Sequence, residues 1–175
     1  MKRRAAIIKL ASLPYLIWGM PQRVNICFAG IGKEGKKVID YFKKRGSTCK
    51  YLIVDKTTPY VEFEQIINFS PSCQIVLLSR VSNESDLILL KETWMHLRRI
   101  GQQPVVIALQ PFYFESQHKR LSAEMIRCFS HTPGVFTINP NPYFDHDITI
   151  KEAFNMAYDA MYQKFTESSA SLILS

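Results

Sequence analysis

The glycines at 30, 32 and 35, spaced Gly-x-Gly-x-x-Gly after the apolar run Val24-Asn-Ile-Cys-Phe-Ala29, are the residues best placed to do chemistry. Bare backbone at such a turn lets amide groups approach an anion at the positive end of the following helix. Lys33, Lys36 and Lys37 add charge at the same place. The spacing is also a dinucleotide fingerprint, and Asp55, twenty residues after Gly35, stands where a ribose-binding acid is needed. NAD binding by a Rossmann domain is therefore one reading of Gly30, Gly32, Gly35 and Asp55. The other is structural: the glycines permit a tight turn and close helix packing with no ligand at all.

These residues need elements to position them, and the chain alternates strand and helix patterns. After the first strand and its glycine turn, Val38, Ile39, Tyr41 and Phe42 recur at helical spacing up to Gly46, with Lys43, Lys44 and Arg45 complementing the helix dipole. Further strands are expected over 51–54, 74–78, 105–109 and 135–138, and helices over 86–100 and 121–129, with a short one over 61–67. Thr149-Ile-Lys-Glu152 is a capping box, so a last helix starts near Ile150 and runs to about Glu167. Each strand is apolar along nearly its full length, which means that both sheet faces are covered. The expected fold is α/β, a doubly wound, mainly parallel five-stranded Rossmann-like sheet. Ligands of such sheets sit at the carboxyl edge, here the loops starting near Gly30, Asp55, Ser79, Gln110 and Asn139.

A chain of 175 residues with 47% hydrophobic and 12% aromatic content suits one domain with a real core, and whole-chain disorder is excluded. The cysteines at 27, 49, 73 and 128 form no close pair of the zinc or redox kind and read as free thiols in a reducing cytoplasm. The triplet Asp145-His-Asp147 could bind a metal, but with no further ligand group in view it reads as a solvated loop, so no metal is expected. The net charge of +7 is spread along the sequence, and no specific nucleic acid is expected. The domain proper occupies 24–168, with a tail over 169–175. Before it lies an arm, residues 1–23, in which Lys2-Arg-Arg4 precedes an apolar run broken by Lys9 and Pro14. That run is shorter than the ~20 apolar residues of a membrane span and has no small-x-small cleavage site. It reads as a partner-binding arm or as a segment that lies on a membrane surface through 1–20, with Met20 as an alternative start.

The most specific pattern is Pro104-Val-Val-Ile-Ala-Leu-Gln-Pro-Phe-Tyr-Phe-Glu-Ser-Gln-His-Lys-Arg120. It resembles FtsZ, the bacterial tubulin-like GTPase. There a strand of the nucleotide-binding domain ends in Lys-Pro-Phe-x-Phe-Glu-Gly and continues into a helix opening with Lys-Arg. Gln110 and Ser116 replace the Lys and the Gly. Thr137-Ile-Asn-Pro-Asn-Pro-Tyr143 is similar to the family's strand end Ile-Pro-Asn-Asp, with Asn141 in the matching place. Glu152-Ala-Phe154-Asn-Met-Ala-Tyr158-Asp159 is similar to Asp-Ala-Phe-x-x-Ala-Asn-Asp on the family's central helix. The resemblance runs from Val24 to about Phe165 and implies a tubulin/FtsZ-type nucleotide-binding domain. It also implies GTP or GDP as ligand, with Phe154 stacking on guanine and Tyr158 in the base-reading position.

The departures bear on activity. The family's Gly-Gly-Gly-Thr-Gly-Thr phosphate cradle corresponds to Ser79-Arg-Val-Ser-Asn-Glu-Ser-Asp86, which has no glycine and brings Glu84 and Asp86 toward the phosphates. Arg80 either grips a phosphate or neutralises those acids. A helix capped by Ser82 or Asn83 explains the same residues without a ligand. The family's second, catalytic domain is expected to have no counterpart in this chain. The expectation is a degenerate, single-domain pseudo-GTPase that is not an enzyme and serves as a protein-binding or assembly module of a cytoskeletal, division-related or envelope-associated machine. The alternatives are a guanine-nucleotide sensor using Gly30, Gly32, Lys33, Gly35, Arg80, Asn141, Phe154 and Tyr158, and the NAD-binding domain. The last helix, with Ile150, Phe154, Met161, Tyr162 and Phe165 on a wide apolar face, and the arm are expected to meet a partner or a second copy. The expected location is the cytoplasm, with association at the inner face of a membrane.

Overall fold

The apolar runs assemble into one five-stranded sheet in the computed structural model of the chain, which describes residues 25–45, 49–57, 64, 73–144 and 147–173. In chain order come β1 (Ile26–Ile31), α1 (Gly32–Lys44), β2 (Lys50–Val54), β3 (Gln74–Arg80), α2 (Glu84–Arg99), β4 (Val105–Leu109), α3 (His118–Phe129), β5 (Val135–Ile138) and α4 (Ile150–Ile173). A 3-10 turn at Asn141–Tyr143 precedes α4. All pairings are parallel and the strand order is β2-β1-β3-β4-β5, a Rossmann-like α/β fold as expected from fully apolar strands. The order reverses between β1 and β3, where Ile31 pairs with Ser79, so the crevice of the fold opens beside Arg80.

Alternation along the strands feeds two cores. Ala29, Ile31, Ile75, Leu77 and Val106 face α2 and α3, which contribute Leu87, Leu90, Leu97, Leu121, Met125 and Phe129. Phe28, Val76, Leu78 and Ile107 face α1 and α4, which contribute Val38, Ile39, Phe42, Ala153, Ala157 and Met161. The alanines of α4, four apart, let that helix lie close on the sheet. Its larger side chains lean toward α1 and β1: Tyr162 meets Phe42 at 5.2 Å and Tyr158 meets Tyr41 at 5.6 Å on α1, and Phe165 meets Phe28 of β1 at 4.8 Å between ring centroids. Most of the apolar circumference assigned to a partner is thus used inside the domain. Met161 is fully buried, Phe154, Tyr162 and Phe165 are half-buried, and Ile150 is 53% exposed.

Boundaries moved in informative places. β1 continues through Gly30 and Ile31, so α1 follows the strand with no loop between them. The helix α4 runs to Ile173, past its expected end near 167 and into the expected tail. The arm, Gly46, Asp145 and His146 lie outside the described residues, as does the short helix over 61–67 apart from Glu64. Among the described residues no helix is long and apolar enough to cross a membrane.

Candidate functional site

The carboxyl ends of β1 and β3 carry the residues picked out by sequence. Ile31 is still extended, and Gly32 turns the chain into α1 with a φ of +70°, a conformation that favours glycine. The Oδ1 of Asp86 lies 2.9 Å from where a Cβ on Gly32 would stand, so the turn is covered from above by a carboxylate. Gly30 and Gly35 do a different job. A Cβ on Gly30 would stand 2.6 Å from Ile39 Cγ1 and 2.7 Å from the Gly35 carbonyl oxygen. One on Gly35 would stand 2.7 Å from the Gly30 carbonyl carbon and 2.9 Å from the Leu78 carbonyl oxygen. These two glycines bring α1 directly onto β1 and β3, and the chain itself fills the space their missing side chains leave. Lys33 is exposed on the outside of α1.

Asp86 is buried in the first turn of α2. Its Oδ2 accepts hydrogen bonds from the Ser82 amide at 3.2 Å, the Ser82 hydroxyl at 2.9 Å and Asn83 Nδ2 at 2.9 Å. The Asn83 side chain accepts in return from the Asp86 amide at 3.0 Å, which is the helix cap expected at this position. One carboxylate therefore stands at the start of two helices, α1 and α2, where an anion is favoured by both dipoles.

Arg80, the last residue of β3, is 7% exposed. Its guanidinium forms ion pairs with Glu34, in the first turn of α1, and with Glu115, in the loop after β4. It also lies over the Phe154 ring, 4.2 Å from the centroid. Glu34 accepts from Lys37 at 2.8 Å through its other oxygen, and Glu115 Oε2 accepts from the Phe112 amide at 2.8 Å. Burial pushes the Glu34 carboxyl up, but the hydrogen bonds and charges of Lys37 and Arg80 together outweigh it and hold the group below its usual range. One guanidinium thus faces two carboxylates and has no net positive charge left for a phosphate. Tyr158 packs beside them, and burial pushes its hydroxyl up to about 12 against the pull of Arg80. It stays a neutral phenol.

The remaining expected residues have other duties. Asp55, at the end of β2, accepts through Oδ1 from the Thr57 amide at 2.8 Å and the Thr57 hydroxyl at 2.6 Å. Asn141 accepts from the Tyr113 amide at 2.7 Å and donates to Asn139 at 2.8 Å. Phe154 meets Phe112 edge-on at 4.7 Å. Glu84 points outward to Arg120 at 2.9 Å, away from Arg80. The structure therefore gathers Gly32, Arg80, Phe154 and Tyr158 and leaves Lys33, Asp55 and Asn141 outside that group. Sequence reasoning missed Glu34 and Glu115 as partners of Arg80. Both lay in plain view, one inside the glycine fingerprint and one closing Pro-Phe-x-Phe-Glu.

The chain matches no protein-family model and no curated protein. What it does has to be read from its own geometry. The loop after β4 is pinned by Asn141 on one side and Glu115 on the other, and it presents Tyr113 and Phe114, 44% and 41% exposed. Both rings contact Phe144, at 5.4 and 5.2 Å. Two grooves lie nearby. One of about 340 Å3 runs between α2 and α3, lined by Leu87, Ile88, Lys91, Leu121 and Cys128 among others. The other, about 260 Å3, is walled by Ser82, Asn83, Ser85, Ser116 and Gln117. Neither is lined by Gly32, Arg80, Phe154 or Tyr158. At the opposite edge of the sheet, burial and its neighbour Cys73 push the Cys27 thiol up to about 12, which keeps it protonated and unreactive.

Proposed function

We propose that this chain is a nucleotide-binding fold that has filled its own phosphate site, a degenerate relative of the FtsZ family that works as a protein-binding or assembly module in the cytoplasm. The observation that carries this reading is the Asp86 carboxylate over Gly32. An anion already occupies the start of α1, and the nearest guanidinium is neutralised by Glu34 and Glu115. A triphosphate or pyrophosphate brought here meets like charge in a partly desolvated crevice, which costs several kcal/mol unless a cation is freed. The sensor and NAD readings have less support, since Asp55 already serves its own loop and Phe154 is covered on one face by Arg80.

A binding role has positive support in the aromatic loop. Tyr113 and Phe114 are large and exposed on a loop fixed by hydrogen bonds from the Tyr113 amide to Asn141 and from the Phe112 amide to Glu115, the character of residues that dominate binding energy at protein interfaces. Ile150, exposed at the start of α4, extends the apolar surface at this edge of the sheet. Two measurements test the proposal. Calorimetric titration of the full chain with GTP, GDP and NAD gives no saturable heat up to about 1 mM, a limit near −4 kcal/mol. Tyr113→Ala combined with Phe114→Ala lowers the assembly mass measured by light scattering or releases the bound partner. Saturable binding of any of the three nucleotides, or an unchanged assembly in the double variant, overturns it.

A further inference from the structure

The loop that presents Tyr113 and Phe114 is fixed from the crevice side by one buried guanidinium. Arg80 pairs through one nitrogen with Glu34, in the first turn of α1, and through another with Glu115, in the loop itself. With its second oxygen Glu115 accepts from the Phe112 amide at 2.8 Å. The same guanidinium lies over Phe154, which meets Phe112 edge-on at 4.7 Å, and Phe112 in turn stacks on Phe114 at 5.0 Å with an interplanar angle of 19°. Two routes, one polar and one aromatic, therefore lead from Arg80 to Phe112. That ring is fully buried and carries the exposed Phe114.

The charges at this point do not balance. Arg80 brings one positive charge to two carboxylates, and Glu34 has a second cation in Lys37 at 2.8 Å, whereas Glu115 makes no other ion pair among the described residues. Both acids draw on the same guanidinium, so a closer hold by one weakens the hold of the other. In addition, the buried Arg80 Nε has no acceptor among the described residues, a cost that belongs to this arrangement. The contact is a contest between two acids, not a rigid strut.

We propose that Arg80 is the positioning residue of the aromatic loop, and that Glu34 and Glu115 compete for it, so that the first turn of α1 and the Tyr113–Phe114 surface are coupled in opposition. Held by Glu115, the guanidinium keeps the Phe112 amide closed and Phe114 on its support. Drawn to Glu34, it leaves Glu115 an unpaired acid and the loop loosens. Coupling of this kind is reciprocal, so a partner that favours the fixed loop draws Arg80 toward Glu115 and away from Glu34. The consequence for assembly rests on the reading of this loop as a contact surface; the effect on the loop itself does not.

The test is amide hydrogen exchange of the full chain, resolved residue by residue by NMR. Phe112 is the reporter, and the reference is Val106 in β4, whose amide donates to the Gly134 carbonyl at 2.8 Å. Glu115→Gln keeps an acceptor for the Phe112 amide but offers Arg80 no charge. Because a charge-assisted hydrogen bond is roughly twice as strong as a neutral one, Phe112 exchange relative to Val106 rises by about tenfold. Arg80→Lys, which lacks the planar fork that meets two carboxylates, raises it as well. Glu34→Gln acts in the opposite direction and slows Phe112, since the guanidinium is left to Glu115 alone. The inference is overturned if Phe112 keeps the parent's relative rate in Glu115→Gln or in a folded Arg80→Lys, or if Glu34→Gln fails to slow it. Should Arg80→Lys not fold, the two near-isosteric glutamine variants decide. Light scattering separates this inference from the reading it rests on. Glu115→Gln lowers the assembly mass in the same direction as Tyr113→Ala with Phe114→Ala, and a parent-like mass where the double variant falls overturns the coupling to binding. If the double variant leaves assembly unchanged, the contact surface is refuted while the exchange rates still judge the role of Arg80.

Discussion

Replacing Arg80 with methionine tests whether the crevice is closed by internal charge. The Arg80 side chain is 9% exposed, and its partners Glu34 and Glu115 are 13% and 15% exposed. Removing one member of a buried ion network costs about 3–5 kcal/mol, because the opposite charge stays behind without compensation. Glu34 keeps Lys37, which places the expected loss near the lower end, about 3 kcal/mol. Lost stacking on Phe154 adds about 1 kcal/mol, and the methionine side chain recovers a similar amount by filling the space. For a domain of this size about 3 kcal/mol lowers the melting temperature by roughly 6–12 °C. Urea denaturation followed by circular dichroism measures it. The companion variant, Glu34→Gln with Arg80→Met and Glu115→Gln, removes all three charges and recovers most of the loss. If Arg80→Met is as stable as the parent within about 1 kcal/mol, or if the triple variant is no better than the single one, the closed-network argument fails.

Gly30→Ala forces a methyl group against Ile39 and the Gly35 carbonyl, and since backbone cannot yield easily the expected cost is about 3 kcal/mol in the same urea assay. For Glu34 the folded carboxyl lies below its ordinary value of 4.5, so it stabilises the fold above that pH, and this contribution is lost as pH falls through the depressed value. Glu34→Gln should therefore flatten the fall in stability across the acid range below about pH 5, read as chemical denaturation at a series of pH values. His131, exposed with a φ of 65°, sits in the left-handed region, and His131→Gly should raise stability by about 0.5–1 kcal/mol, seen as a higher denaturation midpoint.

The sheet was legible because its information is local. Val105–Leu109 and the stretch 75–78 of β3 are wholly apolar, and such runs declare a strand covered on both faces. The start of α4 was equally plain, since Thr149 and Glu152 form the reciprocal cap their spacing implies. Reading the site was harder because its contacts join segments far apart in the chain. Nothing near Arg80 in sequence points to Glu34 or Glu115, and the acids at 84 and 86 lie closer to it along the chain. Asp86 proved to face Gly32 and Glu84 to face outward, a difference of orientation between residues two apart on one helix. The glycine spacing was read as a ligand turn or as a packing device; two of the three positions serve packing, and the third turns under Asp86. The breadth of apolar surface on α4 is legible in its sequence, but not that α1 absorbs it, because a helix-to-helix contact such as that of Phe42 with Tyr162 leaves no trace in periodicity.

The strand order also governs how the protein is made. Among the described strands β1 leaves the ribosome first, yet it lies in the interior of the sheet, and the face carrying Phe28 and Phe42 is finished by residues as late as Tyr162 and Phe165. At synthesis rates of about 5–20 residues per second, that face stays uncovered for on the order of 10 s. During that time the nascent chain is a client for any chaperone that holds apolar segments. A translation product halted before α4 is accordingly not a smaller version of the domain but a sheet with one face left bare, and release of α4 is the step that covers it.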